Sequence, residues 1–335
     1  MSTPSLGVVV IGRNEGARLA RCLASVREAG PPGPVVYVDS GSTDGSAALA
    51  QAQGADVVAL DPGPGFTMAR GRNAGVRRLL EGAPEIEWIQ FLDGDCELRP
   101  GWLDEGMRAM QRHPDAAVVS GRRRERHRDA NVYHRLMDME WDTPVGEVLE
   151  CHGDAMMRVA FLRRAGLFDE SLIAGEEPEL CGRLRAAGGR ILRLPAEMSL
   201  HDVAMDGFGS WWRRCLRSGH AEAQRAARHG WRQDARTLVR PWLWVCALPL
   251  ATVAAALVIG PVVLAALAIY PLHALKIALA RRRRGDSTSD AALYALFVLI
   301  GRVPTWLGHV GYWTGRLRGR PSTLIEYKGA ARGAL

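Results

Sequence analysis

"GVVVIG" at residues 7–12 is a continuous apolar, β-branched run. "NEGARLARCLASVREAG" (residues 14–30) follows, with Leu19, Cys22, Leu23 and Val26 at helical spacing. A short all-apolar run reads as a strand buried on both faces, and the amphipathic segment behind it as the helix of a crossover. The alternation then repeats. "PVVYVDSG" (34–41) is a second strand and "TDGSAALAQAQG" (43–54) a short helix behind a Ser/Thr/Asp turn. "DVVAL" (56–60), "RNAGVRRLLEG" (72–82) and "EWIQFLDGD" (87–95) continue as strand, helix and strand. The pattern predicts an α/β fold with a mostly parallel central sheet and flanking helices, a nucleotide-binding type of layer. Ligands in such sheets sit beyond the carboxyl ends of the strands. Those ends carry Arg13-Asn14-Glu15, Asp39-Ser40 and Asp93-Gly94-Asp95, three polar clusters aimed at one place.

Composition narrows the function classes. The 335 residues are 47% hydrophobic and 24% charged, which suits a folded chain with a sizeable core and more than one structural unit. A net charge of +7 points to an anionic partner: a phosphate-bearing substrate, an acidic lipid or nucleic acid. The six cysteines form no CxxC pair, which argues against a zinc site or a disulfide framework and for reduced thiols facing the cytosol. "MSTPSLGVVVIGRNEG" has no charged n-region ahead of a long apolar stretch, so no signal peptide is expected. The first strand is followed by one glycine and then Arg-Asn-Glu, not GxGxxG, which argues against a dinucleotide-dependent reductase.

The middle of the chain is less regular. It holds a strand-like "AAVVSG" (116–121), the basic run "RRRERHR" (122–128), and "GEEPELCGRLRAAGGRI" (175–191), a helix opened by carboxylates. Residues 242–259 and 262–280 are two apolar segments split by Gly260-Pro261. At about 1.5 Å per residue each spans roughly 27 Å, close to a hydrocarbon core of about 30 Å. Arg240 precedes the pair and Arg281 to Arg284 follow it, so both ends are expected in the cytoplasm and the pair is expected to be a transmembrane hairpin. The apolar run at 291–300 is short and meets Arg302 and Pro304, which reads as an interfacial amphipathic helix.

Six segments occur in the order found in family 2 glycosyltransferases of the GT-A fold. They are "VVVIGRNEGARLARCLASV" (8–26), "VVYVDSGSTDGS" (35–46), "ARGRNAGV" (69–76), "FLDGDCEL" (91–98), "GLFDESLIAGEEPELCGRLRAAG" (166–188) and "WWRRCLRSGH" (211–220). The chain resembles that family over residues 6–220, and its tail "RLRGRPSTLIEYKG" (316–329) resembles bacterial membrane-associated members. The resemblance implies a catalytic GT-A domain over residues 1–235, a transmembrane hairpin over 236–280, and a basic linker, interfacial helix and tail over 281–335. It implies an inverting hexosyltransferase of bacterial glycan or glycolipid synthesis, using a UDP- or GDP-sugar and a lipid-linked or glycan acceptor. The catalytic domain is expected on the cytoplasmic face of the inner membrane. An idle, membrane-anchored nucleotide-sugar-binding subunit of an assembly complex is the alternative.

The same resemblance assigns the residues. Asp93 and Asp95 match the DxD motif, whose hard oxygens suit Mg²⁺ or Mn²⁺ bridging a diphosphate, with His201 completing the metal shell or staying structural. Asp39, Asn14 and Glu15 are placed against the nucleotide, as are Arg70, Arg72 and Asn73. Asp154 is placed against the donor sugar, and Arg213, Arg214 and Arg217 against the pyrophosphate. Glu176 and Glu177 match the family's acidic pair, with Glu177 as general base and Glu176 orienting the acceptor; Glu179, Asp169 and Glu170 compete for the role. Trp211 and Trp212 stack on an acceptor sugar or anchor at the membrane surface. No nucleic-acid partner is expected, because a lipid headgroup or lipid-linked phosphate accounts for the "RRRERHR" charge.

Overall fold

The computed structural model describes residues 5–30, 33–63, 65–230, 235–320, 322, 323 and 325. Of the tail segment from 316 to 329, residues 321, 324 and 326–329 therefore lie outside the described residues. The chain divides into two compact units, Met1–Arg128 with Glu140–Val203, and Asp129–Met139 with Ala204–Leu335.

The first unit is built on one sheet of nine strands: β1 (Leu6–Gly12), β2 (Val35–Asp39), β3 (Asp56–Ala59), β4 (Trp88–Asp93), β5 (Cys96–Leu98), β6 (Ala116–Glu125), β7 (Gly146–Glu147), β8 (Ala155–Arg158) and β9 (Arg190–His201). Their order is β3-β2-β1-β4-β8-β6-β9-β5, with β7 paired to β9. The expected parallel alternation holds from β3 to β4. Beyond β4 the sheet becomes mixed, since β8 runs antiparallel to both β4 and β6. Helices α1 (Ala17–Glu28), α2 (Ser46–Ala52) and α4 (Trp102–Arg112) cover one face, where Leu19, Leu23, Trp102 and Met110 are buried. The other face carries α3 (Met68–Gly82), α6 (Val159–Ala165) and α7 (Glu176–Ala186), whose Val76, Leu79, Phe161, Leu180 and Leu184 close the core. A helix α5 (Val132–Glu140) lies between β6 and β7 in sequence.

Register brings the polar ends together. Gly12 of β1 pairs with Asp39, and Ile11 pairs with Asp93, so the carboxyl ends of β2, β1 and β4 form one rim. On the far side, His201 at the end of β9 pairs with Cys96 on one flank and with Glu125 on the other.

The basic run corrects one expectation. Residues 122–125 continue β6 between β8 and β9, and Arg122, Arg123 and Glu125 are buried. Arg122 faces Asp142 at 3.4 Å, and Arg126 pairs with Glu97. Arg122, Arg123 and Glu125 thus serve the interior of the unit, while His127 is exposed and Arg124 reaches Glu197 at the surface.

The second unit is helical. It contains α8 (Phe208–His229) and three helices long and apolar enough to cross a membrane, Ala235–Ile259, Pro261–Arg283 and Thr288–Leu317. The first two form the expected hairpin around Gly260. The third corrects the short interfacial run: it continues through Arg302 and Pro304, and the Thr305 hydroxyl donates to the Gly301 carbonyl at 2.9 Å beside the proline. This helix packs along α8 at close quarters. A Cβ on Gly219 would lie 2.1 Å from the Thr305 carbonyl oxygen, and one on Gly308 would lie 2.2 Å from that of Leu216. His309 is fully buried there, with Nε2 3.2 Å from Glu222 Oε2. Gly219→Leu is expected to part the two helices, costing about 1–3 kcal/mol by overpacking and lowering the Tm of the detergent-solubilised chain. Gly311→Leu, where a Cβ meets nothing within 4 Å, should leave the Tm unchanged.

Candidate functional site

The first unit gathers its acids around two buried arginines. Arg72 of α3 is 1% exposed, and burial alone would lower its affinity for its proton. It is held firmly charged by carboxylates on two elements. Its Nη1 lies 2.6 Å from Glu176 and 3.0 Å from Glu177, at the start of α7, and its Nη2 lies 3.0 Å from Asp93 at the end of β4. Gly153 backs this bridge, since a Cβ there would stand 2.6 Å from Arg72 Nη2 and 2.8 Å from Asp93 Oδ2. Arg123 of β6 makes the second clamp, 3.4 Å from Asp93 and 3.0 Å from Asp154. Burial pushes the Asp93 carboxyl up, but Arg72 and then Arg123 outweigh it and hold it below the ordinary carboxylate range.

Glu177 has the opposite balance. Burial raises its pKa first, the Glu176 charge beside it adds to that, and Arg72 offsets only part, leaving the carboxyl at about 7. The competing acids are engaged elsewhere: Glu179 pairs with Arg183 at 2.6 Å, Glu170 accepts from Asn73, and Asp169 accepts from the Ser171 hydroxyl and backbone.

Asp95 and His201 form the neighbouring cluster, both buried, with Nε2 3.4 Å from Asp95 Oδ2. The imidazole is held on its other side by Glu125 Oε2, 3.5 Å from Nδ1, and by the Trp141 ring edge-on at a centroid distance of 4.7 Å. Asp95, Cys96 and His201 bring donor atoms within 4.8 Å of one another, as do Asp93, Cys96 and Asp154. A carboxylate and an imidazole at that spacing fit Mn²⁺ or Mg²⁺ supplemented by substrate oxygens.

The remaining expected residues divide by place. Asp39 accepts from the Tyr37 hydroxyl at 3.1 Å and from the Gly41 and Ser42 amides, closing the turn after β2. Asn14, exposed and in a left-handed conformation at φ 56°, ties the β1 loop to that turn by accepting from the Thr43 amide. Glu15 is partly exposed beside them and pairs with Arg18 at 2.7 Å. These three line the β1–β2 rim. Arg70 instead closes its own loop through the Gly65 and Asp61 carbonyls. Asn73 is buried and pins residues 168–170. Asp154 is fully buried beneath Asp93, accepting from the Asp93 amide at 3.0 Å and the Ser199 hydroxyl at 2.6 Å, so it supports the DxD turn and does not face outward. Arg214 and Arg217 lie on α8 of the second unit. Sequence reasoning missed Arg123, Glu125 and Trp141.

The sequence profile of glycosyl transferase family 2 matches residues 7–164. The chain is 29% identical over 238 residues to the pre-mycofactocin glycosyltransferase of Mycobacterium tuberculosis, covering 66% of this chain and 47% of that protein. It thus spans about half the length of that relative. It is 31% identical over 201 residues to an uncharacterised glycosyltransferase of Mycobacterium bovis, covering 58% of this chain and 85% of that one. Among solved structures, the mannosyltransferase PcManGT from Pyrobaculum calidifontis, in complex with GDP-Man and Mn²⁺, has a TM-score of 0.57 at 21% identity. The match covers 89% of this chain and 87% of that one, and the likeness is one of fold, GT-A.

Arg72→Met leaves Asp93, Glu176 and Glu177 without their shared cation. It is expected to cost about 3–5 kcal/mol in denaturant unfolding, as breaking a buried ion pair from one side does. An exposed pair such as Arg108–Glu105 should give under about 1 kcal/mol for Arg108→Met.

Proposed function

The chain belongs to glycosyl transferase family 2, and we propose that it is an inverting, metal-dependent member moving a sugar from a nucleoside-diphosphate donor to a lipid-linked or membrane-proximal acceptor. The observation that carries the reading is the Arg72 bridge. It draws the acidic pair of α7 against the DxD turn of β4, so a proton acceptor and a diphosphate-binding turn share one cation.

In this mechanism Glu177 takes the acceptor's hydroxyl proton as that oxygen bonds to the anomeric carbon. The bond from that carbon to the β-phosphate oxygen breaks, and its electron pair leaves on the nucleoside diphosphate. A carboxyl at about 7 is suited to that transfer, because it is substantially ionised at neutral pH yet basic enough to hold a proton. Glu176 stays paired to Arg72 and orients its neighbour. A divalent metal, Mg²⁺ or Mn²⁺, would be held by Asp95 and His201 with Asp93 beside them, and supplies charge neutralisation for the leaving diphosphate. The neighbour solved with GDP-Man and Mn²⁺ supports both the donor class and the metal class; UDP- and GDP-sugars are the donors to test.

The domain reading keeps the transferase in the sheet unit and the anchor in the apolar hairpin. Arginines at both ends of the hairpin support a cytoplasmic catalytic face on the inner membrane. The third apolar helix lies with α8 along the membrane surface. Crossing would carry α8, with Arg213, Arg214, Arg217 and Arg225, into hydrocarbon at about 2.5–3.5 kcal/mol per arginine.

Turnover of the true donor is expected to rise with pH through about 7 and level above it, as Glu177 loses its proton. Glu177→Gln should lower kcat by about 10²–10⁴-fold with donor binding kept, and Asp95→Ala should weaken Mn²⁺ binding measured by calorimetry. Full turnover in both variants would sink the assignment.

A further inference from the structure

We infer that the second unit holds a binding site for the phosphate headgroup of an anionic membrane lipid, built from Arg302, His273 and Trp244 and flanked by Arg240, Lys276 and Trp306. This goes beyond the transfer reaction and rests only on the membrane placement proposed above.

The site begins with a cation on an apolar helix. Arg302 sits mid-way along Thr288–Leu317 and donates through Nη2 to His273 Nε2 at 2.8 Å. An arginine can only donate, so this nitrogen of His273 accepts and the imidazole does not neutralise the guanidinium. Both groups lie against Trp244. The guanidinium carbon stands 4.3 Å from its ring centroid, and the imidazole stacks on it at 4.5 Å and 29°. Trp244 is fixed in turn by Tyr270, whose hydroxyl donates to its carbonyl at 2.5 Å. The cluster is therefore ordered by its own contacts, unlike a snorkelling surface arginine.

Its charge is one-sided. Arg240 acts on both Arg302 and His273 with like charge, and Lys276 acts on His273. Among the described residues no carboxylate pairs with Arg240, Lys276 or Arg302. Two buried donors also have no acceptor among the described residues: Arg302 Nη1 and, one turn further along the same helix, Trp306 Nε1. Unpartnered donors a turn apart with excess positive charge suit a multi-oxygen anion, and the planar guanidinium favours phosphate. The surroundings point to a lipid source. Leu243, Leu272 and Leu275, on the two hairpin helices that carry Trp244 and His273, are exposed, a surface suited to acyl chains and not to a soluble ion. Basic groups of this kind near a membrane surface favour anionic lipid.

The test uses the full chain in neutral detergent, delipidated, with lipid binding read by native mass spectrometry. Dioleoyl phosphatidic acid is expected to bind at least about tenfold more tightly than dioleoyl phosphatidylcholine. Arg302→Gln should remove about tenfold of that affinity and Trp306→Phe about threefold, whereas Arg283→Gln, an exposed cation on the second helix, should change it less than about twofold. Millimolar inorganic phosphate should not displace the lipid. Equal losses in Arg302→Gln and Arg283→Gln would reduce the effect to general electrostatics and overturn the site. Displacement by inorganic phosphate would overturn the lipid assignment. Should Arg302→Gln fail to fold, the Trp306→Phe comparison and the preference between the two lipids decide. Alkaline-carbonate washing of membranes tests the membrane placement separately: release of the wild-type chain fails that reading, and retention leaves the lipid arms to judge the site.

Discussion

A single guanidinium, buried to 1% exposure and surrounded by three carboxylates, ties the first unit together. Arg72 comes from α3, Asp93 from the end of β4, 21 residues on, and Glu176 and Glu177 from the first turn of α7, with Glu176 104 residues from Arg72. A buried charge is tolerated only when its partners are held in place, so these three elements cannot drift independently. Gly153 shows how tight the requirement is, because its missing side chain is the space the Arg72–Asp93 pair occupies. The consequence reaches Glu177. Desolvated beside Glu176 and sharing its cation with two other acids, it holds its proton more firmly than an exposed glutamate.

Much of this was legible in the sequence. The β-branched runs ending in Asp39 and Asp93 dictated parallel strands with their polar ends on one rim, and register confirms that rim residue by residue. The carboxylates ahead of Leu180 and Leu184 marked the start of α7. What was illegible came from β6. Register shifts around Ser120 to Arg123 break the two-residue alternation, so Arg123 and Glu125 could not be recognised as interior positions in a run of basic residues. Asp154 and Asn73 were read as ligand-facing because their segment types suggested it; their hydrogen bonds instead run inward, to the Asp93 amide and to Phe168. No sequence pattern distinguishes an asparagine that braces a loop from one that touches a nucleotide.

The second unit shows how length and packing disagree. By composition the third apolar helix resembles the hairpin helices, and its run through Pro304 gives it the length to span. Its face against α8, however, is built from glycines at backbone contact and from a buried His309–Glu222 pair. The apolar run at 291–300 therefore gave the wrong length, since helix ends are poorly marked when proline sits inside a packed segment.

Charge balance at the rim favours a bound cation. Asp93, Asp95, Asp154, Glu176 and Glu177 converge with only Arg72 and Arg123 among them, so carboxylates outnumber the cations even when Glu177 carries its proton. A diphosphate approaching such a rim meets net repulsion, and the two arginines are already engaged on Asp93. Under the proposed function a divalent ion held by Asp95 and His201 would supply the positive charge that a diphosphate needs there, while burial and the Glu176 charge, offset only in part by Arg72, raise the Glu177 carboxyl. The fold thus gives the two aspartates different surroundings: Asp93 is held by Arg72 and Arg123, and Asp95 lies against the His201 imidazole and the Cys96 thiol.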